Sequence, residues 1–148
     1  MAKSKNDTVA ALLMAMKKAH QEMKLLLRNK LREHNIDLTF EMLQVLMHLW
    51  DRDGVNQQEL ANLLLKDKAS LVYLIDNLSK RKLVRRTEDG NDRRNKMITL
   101  MPEGERLRSV IVPWMEELYA IAGKDISVQH VKEGIVLFER IYQNVNKV

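Results

Sequence analysis

Apolar residues recur at steps of three and four along most of this 148-residue chain, the spacing of helices with one buried face. The first stripe runs through Val9, Leu12, Leu13, Met16, Met23, Leu26, Leu27 and Leu31, with Lys17, Lys24 and Arg28 opposite. Asn35-Ile36-Asp37 breaks it. Thr39 is placed to cap a second helix with the stripe Phe40, Leu43, Leu46, Met47 and Trp50, and Asp51-Arg52-Asp53-Gly54 ends that helix with turn residues. Asn56 and Glu59 have capping-box spacing, and Val55 and Leu60 stand at the staple positions. A third helix therefore starts there and buries Leu60, Ala61, Leu63 and Leu64. Asp67 caps a fourth, which runs to about Lys80 and buries Leu71, Leu74, Ile75 and Leu78. Two short helices joined by a tight turn form a helix-turn-helix, a pattern shared with many helical corners that bind nothing.

The period then changes. Leu83-Val84-Arg85-Arg86-Thr87-Glu88 and Lys96-Met97-Ile98-Thr99-Leu100 are short β-prone segments separated by a polar run containing Gly90 and Asn91, which tolerate positive φ. They predict a β-hairpin that is too short to stand alone and leans on the helices. A helix-turn-helix followed by a basic-tipped hairpin is a winged helix. Pro102 suits the first turn of a further helix with the stripe Leu107, Val110, Ile111, Trp114, Met115, Leu118 and Ile121; Pro113 is expected to kink or interrupt it, and Gly123 to stop it. Ser127 opens the last helix, striped by Val128, Val131, Ile135, Phe138, Ile141 or Tyr142, and Val145. The pattern predicts a mainly α fold with a small β-hairpin: a winged helix-turn-helix lobe over 38–100, with helices over 7–34 and 102–147 in the same single unit of 1–148.

Composition narrows the chemistry. The absence of cysteine excludes a disulfide scaffold, a thiolate metal site and a thiol nucleophile. Five glycines and two prolines disfavour a turn-rich β architecture, and a hydrophobic fraction of 45% excludes wholesale disorder. The N-terminal apolar stretch lacks a small-residue cleavage site and runs into Lys17 and Lys18, and nowhere are there 18 uncharged residues in a row, so a cytoplasmic protein without a membrane span is expected. His20, His34, His48 and His130 show no metal-binding spacing. Asp51-Arg52-Asp53-Gly54 lacks the later ligands of a calcium loop, and no phosphate loop or nucleophile triad occurs. Neither an enzyme nor a metal or other cofactor is expected.

The net charge of +5 is small, but its position is informative. Between Lys66 and Lys96 lie ten basic and five acidic residues, which carry the whole excess; the rest of the chain is neutral. That window covers the fourth helix, its exit and the hairpin.

The order of these elements, together with Gln58-Glu59-Leu60-Ala61, Leu74-Ile75-Asp76-Asn77-Leu78, Leu83-Val84-Arg85-Arg86, Asp92-Arg93-Arg94 and Leu100-Met101-Pro102-Glu103-Gly104, resembles the MarR-type bacterial transcription regulators over essentially the whole length. The resemblance implies a homodimer held by its first helix and last two helices, two winged helices on one double-stranded DNA, repression from a near-palindromic operator, and release by a small apolar or aromatic effector. Two positions depart from the family pattern. Lys82 replaces a glycine at the exit of the fourth helix, a strain of roughly 1–2 kcal/mol if the residue is left-handed. Met101 replaces a threonine cap, a loss of typically ~1 kcal/mol.

With Leu71, Leu74, Ile75 and Leu78 facing the core, the fourth helix turns Lys68, Ala69, Ser70, Val72, Tyr73, Asp76 and Asn77 outward. As a recognition helix it would offer Lys68 and Ser70 to phosphates or base acceptors, Val72 to a thymine methyl, and Tyr73 to a phosphate or sugar; Asn77 completes that face. Arg85, Arg86, Arg93 and Arg94 supply charge around the wing, with Arg94 suited to a narrow minor groove. Asp92, a poor DNA ligand, is expected as wing support that orients Arg94 itself or one of Arg85 and Arg86. Met14, Met16, Met23, Met42, Met47 and Met115 lie on or beside apolar stripes and are expected mostly in the core, and the resemblance places an effector pocket among Met16–Leu27, Met47–Trp50 and Trp114–Leu118. The competing reading is a helical module that binds an acidic protein or RNA through its basic hairpin.

Overall fold

Five helices begin on a side chain that accepts a hydrogen bond from the first turn, relieving backbone donors that have no partner inside the helix. In the computed structural model, which describes the backbone of residues 2–90 and 92–148 and the side chains of these apart from 89 and 92–95, the caps are Ser4, Thr39, Asn56, Asp67 and Ser127. They open α1 (Lys5–Glu33), α2 (Phe40–Asp51), α3 (Gln57–Leu63), α4 (Lys68–Lys80) and α6 (Val128–Asn146). α5 (Pro102–Ala122) instead has proline at its first position, where the missing N–H costs nothing. It continues unbroken past Pro113, so the interruption expected there does not occur. Only half of the expected box at α3 forms: Asn56 Oδ1 accepts from the Glu59 amide at 2.7 Å, while the Glu59 carboxylate pairs with Arg52 at 3.4 Å.

α1, α3 and α4 stop in the same way. Asn35, Leu65 and Lys82 adopt φ of 55°, 53° and 59°, and the following amides of Ile36, Lys66 and Leu83 return to the carbonyls of Leu31, Ala61 and Leu78. These are Schellman endings built without glycine. The left-handed geometry at Lys82 carries the strain of roughly 1–2 kcal/mol for a residue with a Cβ.

The hairpin is longer than its β-prone segments. β2 (Val84–Asp89) pairs antiparallel with β3 (Asp92–Leu100), and a two-residue β1 (Val55–Asn56), absent from the sequence reading, pairs with the far edge of β3 to give the order β1-β3-β2. β1 is too short to leave a periodic signal; it exists because Val55 lies opposite Ile98. Asp53, in the turn before it, ties the same strand down by accepting from the Leu100 amide at 2.9 Å.

By their contacts the residues divide into two compact units, Met1–Trp114 and Met115–Val148. The first has an apolar core built from Leu27 and Leu31 of α1, Leu43, Val45, Leu46 and Leu49 of α2, Leu60 of α3, Leu71, Ile75 and Leu78 of α4, Ile98 of β3 and Ile111 of α5. No polar or charged side chain is buried among the described residues. Trp50 closes the core beside the wing and donates its indole N–H to the Gly104 carbonyl at 2.9 Å. Gly104 has to be glycine, because a Cβ there would run into the Leu83 carbonyl oxygen. That oxygen also accepts from the Met101 amide at 2.9 Å, which closes the base of the hairpin.

The second unit comprises the end of α5, where Met115 and Leu118 are buried, and α6, which buries nothing. Val131, Ile135 and Tyr142 of α6 line an open apolar groove of about 740 Å³ with Gly134 and Phe138. The methionines divide in a way the stripes did not foretell. Met42 and Met115 are core, Met23 and Met47 are half-buried, and Met14 and Met16 are exposed, as are Val9 and Leu13 on the same stretch of α1. No described helix is long and apolar enough to cross a membrane.

Candidate nucleic-acid interface

α4 presents the outward face that its apolar stripe dictates. Leu71, Leu74, Ile75 and Leu78 are buried, whereas Lys68, Ala69 and Ser70 are exposed, Val72, Asp76 and Asn77 are half-buried, and Tyr73 stands 67% exposed. Tyr73 therefore does not lie flat on the lobe.

The remaining polar groups of this face are partly committed to the helix itself. Asp67 Oδ1 accepts from the Ser70 amide at 2.7 Å, and its Oδ2 accepts from the Ser70 hydroxyl at 2.9 Å. These bonds, the backbone one foremost, hold the Asp67 carboxyl below its ordinary range. Ser70 thus serves the cap. Asn77 donates from Nδ2 to the Tyr73 carbonyl at 2.9 Å. Lys68 and Tyr73 are the members of the face that project without such commitments among the described residues.

The two arginines of β2 point to opposite faces of the sheet. Arg85 lies opposite Thr99 and is exposed; Arg86 lies opposite the buried Ile98, on the core side. There Arg86 Nε donates to Gln57 Oε1 of α3 at 3.1 Å, and Nη1 lies 2.9 Å from Asp76 Oδ1 of α4. Its Nη2 is buried without a hydrogen-bond partner among the described residues. Arg86 therefore ties the wing strand to both helices of the helix-turn-helix, and Asp76 is its anchor. Sequence reasoning placed Asp76 outward and missed that role, although period-two alternation from the buried Val84 puts Arg86 on the same face. Arg81, at the end of α4, was also missed: it is bound to Asp37. The side chains of Asp92, Arg93 and Arg94 lie outside the described residues.

The arrangement is a helix with an exposed cation and phenol, braced from behind by an arginine of the adjoining wing strand. No group of histidine and carboxylate side chains suited to a metal ion occurs among the described residues. Within the first unit, Trp50 of the anticipated effector region is core, and Trp114 packs against His34 with ring centroids 4.4 Å apart. An open cavity of about 610 Å³ lies instead at the corner between α1 and α2, lined among others by Arg28, Arg32, Ile36 and Phe40.

Residues 36–95, which span the α1–α2 corner, helix-turn-helix and most of the wing, match the model of the MarR family. Over that stretch the chain is similar to the MarR family. Transcriptional regulator HosA of Escherichia coli O157:H7 is 31% identical over 77 residues, 52% of this chain and 57% of the relative, so the match spans little more than half of that relative's length. A MarR-family transcriptional regulator from Rhodococcus sp. RHA1 is 26% identical, with a TM-score of 0.75 over 95% of this chain and 96% of its own. BpsR of Bordetella bronchiseptica, whose DNA binding is regulated by 6-hydroxynicotinic acid, is 23% identical, with a TM-score of 0.74 over 91% of this chain and 98% of its own. Measured against the MarR pattern, Lys82 keeps the left-handed exit that a glycine would occupy, and the winged helix reads as the sequence suggested.

Proposed function

We propose that this chain is a bacterial, cytoplasmic, sequence-specific double-stranded DNA-binding regulator of the MarR family that represses transcription as a homodimer. The observation that carries the reading is the outward face of α4, with Lys68 and Tyr73 projecting, inside the stretch that holds the chain's entire net charge. In this reading two α4 helices enter successive major grooves about one helical turn apart, ~34–36 Å. Lys68, Ser70, Val72, Tyr73 and Asn77 face the groove, Arg85 and Arg93 meet phosphates, and Arg94 enters the minor groove with Asp92 as wing support. Arg86 acts from behind, through Asp76. The exposed apolar faces of α6 and of the first turns of α1 support the dimer, since solvated helices do not keep such faces uncovered. Release by a small apolar or aromatic effector is supported by the regulation of BpsR by 6-hydroxynicotinic acid.

Fluorescence anisotropy with the intergenic duplex upstream of the chain's own gene tests the function. Binding is expected with log affinity falling steeply against log salt. Arg94→Ala should weaken it strongly while leaving mass and helicity unchanged. A flat salt dependence, or binding only to an acidic protein or RNA, would refute the reading.

A further inference from the structure

The last turn of α4 is held by a side chain that a charge count groups with the DNA-facing bases. Arg81, where α4 stops, is only 32% exposed, and its guanidinium is used in three directions. Nε donates to the Asp37 carbonyl at 3.1 Å, Nη2 meets Asp37 Oδ2 at 3.2 Å, and Nη1 turns back to the Asn77 carbonyl at 3.3 Å. One planar fork therefore joins the corner between α1 and α2 to the end of α4, a geometry that a lysine ammonium cannot reproduce.

The corner is a firm anchor. Asn35 is left-handed, the Ile36 amide is bonded to the Leu31 carbonyl, the Leu38 amide to the Ile36 carbonyl, and Thr39 caps α2. The Asp37 carboxylate is 94% exposed, so the ion pair adds little to global stability. Its leverage is geometric. α4 is about 20 Å long, and a tilt of about 5° at one end moves the other by roughly 2 Å, enough to break a hydrogen bond. The end opposite Arg81 carries Lys68 and Ser70.

We propose that Arg81 is a positioning residue for DNA recognition: through Asp37 it fixes the tilt of α4 against the α1–α2 corner and so places Lys68 and Tyr73, without touching DNA itself. This rests on the reading of α4 as the recognition helix.

The test compares the full chain with Arg81→Ala, Arg81→Lys, Asp37→Ala and Asp37→Asn. Each is titrated against the upstream intergenic duplex and a scrambled duplex of equal length over a range of salt. Arg81→Ala and Arg81→Lys should each weaken binding to the intergenic duplex about tenfold, the scale of one lost base contact. Binding to the scrambled duplex and the salt slope should stay unchanged. Asp37→Ala should weaken binding less, because the backbone acceptor survives, and Asp37→Asn, which keeps a side-chain acceptor, should restore it. Equal losses on both duplexes with a flatter salt slope would make Arg81 a phosphate ligand and overturn the proposal, as would unchanged affinity in both Arg81 variants. Failure of the unsubstituted chain to bind either duplex would instead remove the DNA-binding reading, and this proposal with it. If Arg81→Ala does not fold, Arg81→Lys and the Asp37 pair carry the same comparison.

Discussion

α2 and α6 are both amphipathic helices opened by a hydroxyl cap, yet α2 buries six of its twelve residues and α6 none of its nineteen. The apolar side chains of α2 meet partners supplied by its own unit. Those of α6, Val131, Ile135 and Tyr142 among them, face an open groove. Amphipathic spacing thus states that a face will be covered, not what covers it. For α2 the cover is the core of the Met1–Trp114 unit; for α6 we propose a second copy of the chain.

That contrast is broken or sharpened most strongly by paired substitutions. Leu46→Ala, at a fully buried position of α2, should cost about 2–5 kcal/mol, read as a lower urea midpoint. Ile135→Asp on α6 should instead halve the mass seen by light scattering and leave far-ultraviolet helicity largely intact. Unchanged mass in Ile135→Asp would end the comparison. Gly104→Ala comes next in size: the added methyl meets a backbone carbonyl that cannot yield easily, and overpacking of this kind costs typically ~1–3 kcal/mol. Its effect should appear in the urea midpoint and not in mass. Lys82→Gly should act in the opposite direction and raise stability by about 1 kcal/mol through release of left-handed strain.

The smallest effect concerns the Asp67 cap. Its folded carboxyl titrates below its ordinary range, so the stabilisation is fully present above that range and is lost as pH falls through the lowered folded value. Asp67→Asn keeps an acceptor for the Ser70 amide and removes the titration. The helicity of α4 in that variant should respond less to acid than in the unsubstituted chain, as measured by circular dichroism between neutral and acidic pH.

Much of this fold is legible in the chain because it is local. Thr39, Asn56, Asp67 and Ser127 cap the helices they were expected to cap, since a cap and the amide that donates to it lie three residues apart. The buried stripe of α4 follows from helical period alone. The features that escaped depend on residues far apart in sequence. Asp53 meets Leu100, Trp50 meets Gly104, and Arg81 meets Asp37, across 47, 54 and 44 positions with no local signature at either end. Arg86 is an intermediate case. The alternation of β2 turns it inward, but the partners Gln57 and Asp76 become visible only when the strand is laid against the helices. The exposed Met14 and Met16 show the opposite limit, where the N-terminal part of a clear stripe on α1 stays outside the core that Leu27 and Leu31 join.

The pinned base of the hairpin makes wing length an evolvable trait. The Leu83 carbonyl holds the Met101 amide and Gly104 lies directly against it, so both strands leave from a fixed point whatever lies between them. Lengthening a flexible loop closed at such a point costs only about 0.6 kcal/mol for each doubling. Descendants of this chain could lengthen, shorten or recharge the tip while the lobe beneath stays the same. Gly104, pressed against the Leu83 carbonyl, would be the residue that lineage is least free to change.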